Sequence, residues 1–158
     1  MHDVPGLITE LLAAVVPFRY RHHKLEVGLV SSRTHAWCLP MGLATESQNP
    51  AYVGCSAAWE ECGFLGECSR TCIGSIEEHF GESTFIIRLY PLLVGSELAW
   101  WPDGGHRIRK WFSLRDAAAS IDHQLFVELI LALPFTLTMV EDDFHAPPID
   151  LDLLAATA

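Results

Sequence analysis

Basic residues are scarce in this chain and stop early. Ten of its 158 residues are Lys or Arg against twenty Asp and Glu, and none lies beyond Arg115. Residues 1–115 hold twelve acidic and ten basic side chains, whereas residues 116–158 hold eight acidic and none that is basic, so most of the net charge of −10 belongs to the last quarter. Without a long basic stripe, nucleic acid is a poor candidate and no nucleic-acid partner is expected. The near-neutral body still leaves room for a small phosphorylated ligand. Unbroken apolar runs are wanting too: the longest, Leu125 to Val140, is interrupted by Glu128 and Pro134, too broken to span a bilayer, so no membrane partner is expected. Met1 to Pro17 shows neither a basic start nor a signal-type cleavage pattern, and the expected location is cytoplasmic. The five cysteines are odd in number, which argues for buried free thiols rather than a disulfide framework. Cys68, Cys72 and His79 fit no standard zinc spacing.

With half its residues hydrophobic, the chain has material for the core of one domain. The stretch from Trp37 to Phe64 organises it. Leu39-Pro40-Met41-Gly42 predicts a strand ending in a tight backbone turn, because proline stops a ladder and glycine admits conformations closed to other residues. Asn49-Pro50 predicts a helix start, with Asn49 capping free amides and Pro50 at the first helical position, and Gly63 predicts its end. On that helix Ala51, Cys55, Ala58 and Cys62 form a stripe of small groups suited to close packing on a sheet. Glu60 projects opposite the stripe and Glu61 from its flank, so two carboxylates face the turn at Gly42. Hard divalent cations favour such oxygens.

This pattern resembles the Nudix box, G-x5-E-x7-R-E-U-x-E-E-x-G-U with U a bulky apolar residue. Gly42, Glu60, Glu61, Gly63 and Phe64 fall in register, Leu39-Pro40 and Pro50 match the usual flanks, and Gly42 and Gly63 are the structural positions of the box. The departures are Gln48 for the first glutamate, Ser56 for the arginine, Ala57 for a glutamate and a small Ala58. The resemblance implies that the residues at 57 and 61 together grip Mg2+ or Mn2+ and that the residue at 60 is a metal ligand or the catalytic base. Losing the carboxylate at 57 removes a full charge from the site, and losing the arginine removes a fork of donors that orients the rest.

Elsewhere, Leu11 to Tyr20 and Leu25 to Ser31 read as strands around a turn at His22-His23-Lys24, the first a nearly continuous apolar run suited to a covered position. Gly66 to Ile76 and Ser83 to Val94 read as strands joined by a polar turn over 77–82, where Glu77, Glu78 and Glu82 are candidates to replace the charge missing at 57. Trp100-Trp101 either clamp a ring by stacking or cover an edge. Arg107, Arg109 and Lys110 are the densest basic cluster. The segment Val27 to Arg33 and the run from Arg107 into Trp111-Phe112 resemble the Nudix subfamily that cleaves diphosphoinositol and diadenosine polyphosphates, which implies Arg33, Arg107, Arg109 and Lys110 as substrate-binding; for Arg33 an exposed, solubilising loop residue is the other reading. Ser113 is expected to cap a short helix that Ala117 to Ile121 continue, and Asp122 a second one with Leu125, Phe126, Leu129, Ile130 and Leu133 as its apolar face.

The expected fold is therefore α/β, a Nudix-type α/β/α sandwich with a mixed curved sheet, the box helix on one side and the C-terminal helices on the other. Residues 1–135 form the Nudix domain. Residues 136–158 form an acidic tail that packs on it, mediates a homodimer or stays loose. The expected function is that of a pyrophosphohydrolase of nucleoside diphosphates linked to another moiety, with hydrolysis weak or lost: Glu60 catalytic, Glu60 and Glu61 toward Mg2+ or Mn2+ if active, and no cofactor otherwise. A non-catalytic module binding a small phosphorylated ligand and an interaction platform using the tail are the alternatives.

Overall fold

Two long strands carry the molecule. The computed structural model describes residues 8–144, and in it β1 (Ile8–Arg21) and β7 (Ser83–Glu97) lie parallel through Ile8↔Ser83 to Phe18↔Leu93. Each changes partner on its outer edge at a proline. β1 pairs antiparallel with β4 (Met41–Ala44) up to Ala14 and with β2 (Lys24–Ser31) from Phe18 onward, with Pro17 at the change. β7 pairs with β6 (Gly74–Phe80) up to Leu89 and with β5 (Phe64–Cys68) from Leu92, with Pro91 at the change. A residue without an N–H is tolerated where one ladder has ended and the next has not begun. On β2, Val27 faces Phe18 on one edge and Phe112 of β8 (Arg109–Ser113) on the other, and Val30 faces Cys38 of β3 (Trp37–Cys38) and Arg109. The sheet is mixed, as expected.

Strand periodicity then sorts the core into two layers. Ala14, Val16 and Phe18 point into one cluster with Val27, Leu29, Leu89 and Phe112, closed by Ala117, Phe126, Ile130, Leu133 and Leu137 of the C-terminal helices. Ala13 and Val15 point into the other with Val30, Phe64, Tyr90 and Leu92, closed by Ala51, Ala58 and Cys62. The apolar run of β1 is thus covered on both faces, and the layers are helix, sheet, helix.

The box helix α1 (Pro50–Cys62) starts and stops where its sequence says. Asn49 Oδ1 accepts from the Ala51 N–H, Pro50 opens the first turn, and Gly63 closes the helix at φ 69°. The packed face differs from the expected stripe: Gly54 and Ala57 are buried in it and Cys55 is only half-buried. Gly42 is also corrected. It sits inside β4, paired with Ala13, and is a glycine because α1 crosses it closely: a Cβ there would meet Val53 Cγ1 at 3.1 Å.

The strand expected over Gly66 to Ile76 is two strands. Ser69 interrupts it, buried, with its hydroxyl donating to Asp143 and accepting from the Thr71 N–H, so the backbone turns there instead of continuing the ladder. The turn expected over 77–82 is shorter, since Glu77 to Phe80 belong to β6 and only Gly81 (φ 61°) and Glu82 turn. Ser113 caps α2 (Leu114–Ser120) as expected. His123 rather than Asp122 caps α3 (Gln124–Leu131), its Nδ1 accepting from the Leu125 N–H; Leu125 itself is exposed. α4 (Leu133–Val140) follows, Pro134 being tolerated in its first turn. No single helix among the described residues is long and apolar enough to cross a membrane; α3 and the segment through Asp143 reach that length together but bend by 59°. The stretch expected as tail begins inside α4, where Leu137 and Val140 are buried, and packing continues to Phe144, whose ring meets Phe18 edge-on. The rest of that stretch lies outside the described residues.

Candidate functional site

The last four carbonyls of a helix have no partner within it and must find donors elsewhere. At the end of α1 (Pro50–Cys62) the chain supplies donors to three of them and to the cap carbonyl of Gly63 from residues 98–109, the loop before β8 and the first residue of that strand. The Asp103 N–H donates to Glu60 O (2.9 Å), Trp101 Nε1 to Glu61 O (3.0 Å), Arg109 Nη1 to Cys62 O (2.9 Å) and the Leu98 N–H to Gly63 O (2.8 Å). Arg109 also lies over the Trp101 ring at 4.2 Å. Four consecutive carbonyls are satisfied by residues 98–109, and that segment fixes how Glu60 and Glu61 enter the space beside it.

That space is a cleft of about 410 Å³ lined by Met41, Gly42 and Leu43 of β4, by Gln48, Ser56, Ala57, Glu60 and Glu61 in and before α1, and by Asp103 and Arg107 of the loop. Glu60 is exposed in it. Glu61 is committed on both oxygens: Oε1 pairs with Arg107 Nη1 at 3.0 Å and Oε2 accepts from the Met41 N–H at 3.2 Å. Burial pushes the Glu61 carboxyl up to about 7, against the opposing pull of Arg107 and the Met41 amide. Arg107 is held further by Asp103 Oδ2 (3.5 Å) and Ser31 O (3.4 Å). Gln48, where the box has a glutamate, accepts the Thr45 N–H at 2.9 Å and so closes the turn ahead of α1.

Of the basic residues expected at the site, Arg107 alone among the described residues lines the cleft. Arg109 is spent on the helix end. Lys110 points to the other face of β8, over the Phe112 ring at 5.1 Å, and Arg33 is exposed in the turn after β2. Glu77, Glu78 and Glu82 are not among the described cleft residues: Glu78 bonds His123 of the opposite layer, and Glu77 and Glu82 are exposed on the β6–β7 hairpin. The carboxylate that does join Glu60 and Glu61 is Asp103, and the aromatic that matters is Trp101, which covers the helix end while Trp100 stands 90% exposed. The sequence puts both in one turn, with Trp101 as clamp or cover and Asp103 without a role. An aspartate beside two tryptophans in a glycine turn was the available signal, but the docking partner lies some forty residues away.

No family model matches the chain. Two curated proteins of Arabidopsis thaliana are similar to it. Nudix hydrolase 21, chloroplastic, is 29% identical over 109 residues, 65% of this chain and 54% of the relative; Nudix hydrolase 16, mitochondrial, is 27% identical over 133 residues, 73% and 74% of the two chains. The chain thus spans about half the length of the first of these. The curated relatives that the chain resembles are thus Nudix hydrolases. The chain's fold agrees: the crystal structure of a C. elegans Ap4A hydrolase binary complex superposes with a TM-score of 0.62 at 18% identity, over 82% of this chain and 98% of that one.

Nudix proteins generally use a divalent metal, and the donors here fit one poorly. Among the described residues no three His, Cys, Asp or Glu side chains converge as a metal site. Both Glu61 oxygens are engaged, Asp103 faces Arg107, and position 57 offers a methyl group. The positive charge beside Glu61 is a guanidinium of the chain itself.

Proposed function

We propose that this Nudix protein takes a small phosphorylated ligand, a nucleoside diphosphate joined to another group, into the cleft beside α1 and hydrolyses it weakly or not at all. The commitment of Glu61 to Arg107 and the Met41 amide, with Ala57 one turn earlier on the cleft wall, carries this reading. The family grips its cation with those two positions, and here one has no carboxylate and the other has no free oxygen. Arg107 lines the cleft, and its Nη2, not used by Glu61, Asp103 or Ser31, is the donor group turned to phosphate oxygens. The neighbour in C. elegans is by name a hydrolase of Ap4A, which makes dinucleoside polyphosphates the first ligands to try.

The test combines binding and turnover on one preparation. With Mg2+ or Mn2+ present, a panel of nucleotide and dinucleotide pyrophosphates is expected to raise the melting temperature at saturating ligand, by mass action, with little product formed, and Arg107→Gln is expected to abolish the rise. Turnover at an ordinary enzymatic rate, ~1 to 10³ per second, would overturn the reading. One observation favours a second: Asp103 brings a third carboxylate to the cleft. If it replaces the one lost at 57, hydrolysis is measurable and Asp103→Asn abolishes it. A cytoplasmic location is part of the proposal, and cell fractionation decides between it and the organelles named for the plant relatives.

A further inference from the structure

On the side of α1 away from the cleft, two thiols meet. Cys55 sits in the second turn of the helix and Cys68 at the end of β5, both half-buried against the same core layer. Cys68 Sγ donates to Ala51 O at 3.4 Å, the carbonyl one helical turn before Cys55, which brings it against the part of α1 that carries Cys55. Cys68 is also part of the wall of a groove of about 480 Å³ with Tyr52, Glu67, Arg70, Thr71 and Asp143, and Cys55 is itself only half-buried, so a small solute reaches the pair. We propose that Cys55 and Cys68 form a peroxide-responsive pair that closes to a disulfide between the box helix and β5.

The other cysteines lack this combination. Cys62 is fully buried, and burial together with the Glu61 charge pushes its thiol up. Cys38 is pushed up by the same two causes, and Cys72 is exposed and directed at Gly74 O. At Cys55 the bond from Cys68 draws the thiol below its ordinary value against the effect of burial, while Cys68 is pushed up. Cys55 is half-buried, with its thiol free of the Ala51 carbonyl that Cys68 donates to, and we take it as the attacking sulfur, since the thiolate is the nucleophile. It takes one oxygen from the peroxide to become a sulfenic acid, the other oxygen leaving as water. Cys68 then attacks the Cys55 sulfur, the S–S bond forms and the sulfenic oxygen leaves as a second water with the Cys68 proton. Two thiols are oxidised by two electrons and one peroxide is reduced. The cross-link closes a short loop, which constrains the unfolded chain and raises stability.

Reduced full-length protein is treated with stoichiometric hydrogen peroxide, alkylated and mapped by mass spectrometry without reduction. The expected result is loss of two of the five alkylatable thiols, a linked peptide containing Cys55 and Cys68, and a melting temperature several degrees above that of the reduced protein that returns on adding dithiothreitol. Cys68→Ser should instead leave Cys55 as a sulfenic acid that dimedone traps. Oxidation at Cys72 with Cys55 and Cys68 still alkylatable, a Cys38–Cys62 link, or only intermolecular dimers would overturn the proposal. The thiol map of the unmutated chain decides between these outcomes even if a variant fails to fold, and it does not depend on what the cleft binds.

Discussion

The last turn of α1 and the turn before it meet different demands. At the end, four backbone carbonyls each receive a donor from the 98–109 segment; one turn earlier, Ser56 and Ala57 present a hydroxyl and a methyl to the cleft. Holding a helix in place needs backbone groups and one well-anchored loop, whereas gripping a cation needs particular carboxylates. The two requirements are separable: here the helix end is tied at four carbonyls, while position 57 carries a methyl where the box has a carboxylate. If that comparison is right, removing side-chain caps at the end should cost the fold, while adding carboxylate in the middle should change chemistry at little cost to the fold.

The largest effect is expected from Trp101→Ala combined with Arg109→Met. This leaves Glu61 O and Cys62 O without donors and removes the stacking of Arg109 on Trp101, for a loss of about 4 kcal/mol, read by urea denaturation. A loss under about 1 kcal/mol would mean that water serves these carbonyls as well and that the end of α1 is not specially held. Next comes the middle turn: Gln48→Glu, Ser56→Arg and Ala57→Glu together are expected to raise metal-dependent pyrophosphate hydrolysis at least ~100-fold, about 2.7 kcal/mol in barrier, with stability nearly unchanged. No gain in a folded triple variant would show that the cleft lacks more than the box residues.

How much of this could be read from sequence follows from the range of each interaction. Asn49, Pro50 and Gly63 act on neighbours within a few residues, and the helix they bound was legible. The nearly continuous apolar run of β1 pointed to a covered strand, and the sandwich was expected from the resemblance of the box; which residue enters which core layer is seen in the structure. Gly42 looked like a turn because a glycine kept for the closeness of Val53, eleven residues on, shows no local sign. Arg107, Arg109 and Lys110 looked like one cluster, yet the ladder turns Lys110 to the face of Phe112, the helix end claims Arg109, and Arg107 is left to Glu61. Asp103 was missed for the same reason, since only the docking of its loop on α1 brings it to the cleft.

Close packing of the middle turn offers a smaller test. A Cβ on Gly54 would lie 2.6 Å from Val15 Cγ1, a fully buried β-branched side chain with little room to move. Glycine to alanine in an exposed helix gains about 1 kcal/mol; here Gly54→Ala is expected to lose about 1–2 kcal/mol through overpacking. A gain would show that α1 can ride away from β1, and the packed half of the comparison would fail.

Glu61 belongs to both regions, its carbonyl in the tied end and its carboxyl in the cleft, and its titration measures what the second region costs. Its side chain is only 12% exposed and its carboxyl is pushed up to about 7 by burial, from an ordinary 4.5. A carboxyl whose value is higher folded than unfolded binds more protons in the native state between the two values, so stability must fall as pH rises across that window. The contribution is complete below about 4.5 and is lost as pH passes about 7. Between pH 5 and 8.5 the loss is expected to be about 1–2 kcal/mol, less than the full linkage because residual solvent screens the charge. The difference in unfolding free energy between the unmutated chain and Glu61→Gln, followed across this range, isolates this contribution from every other titrating group. A difference that grows in the opposite direction, with the unmutated chain gaining on the glutamine variant as pH rises, would mean that the Arg107 pair outweighs burial, and Glu61 would then be an asset to the cleft at neutral pH instead of a strain on it.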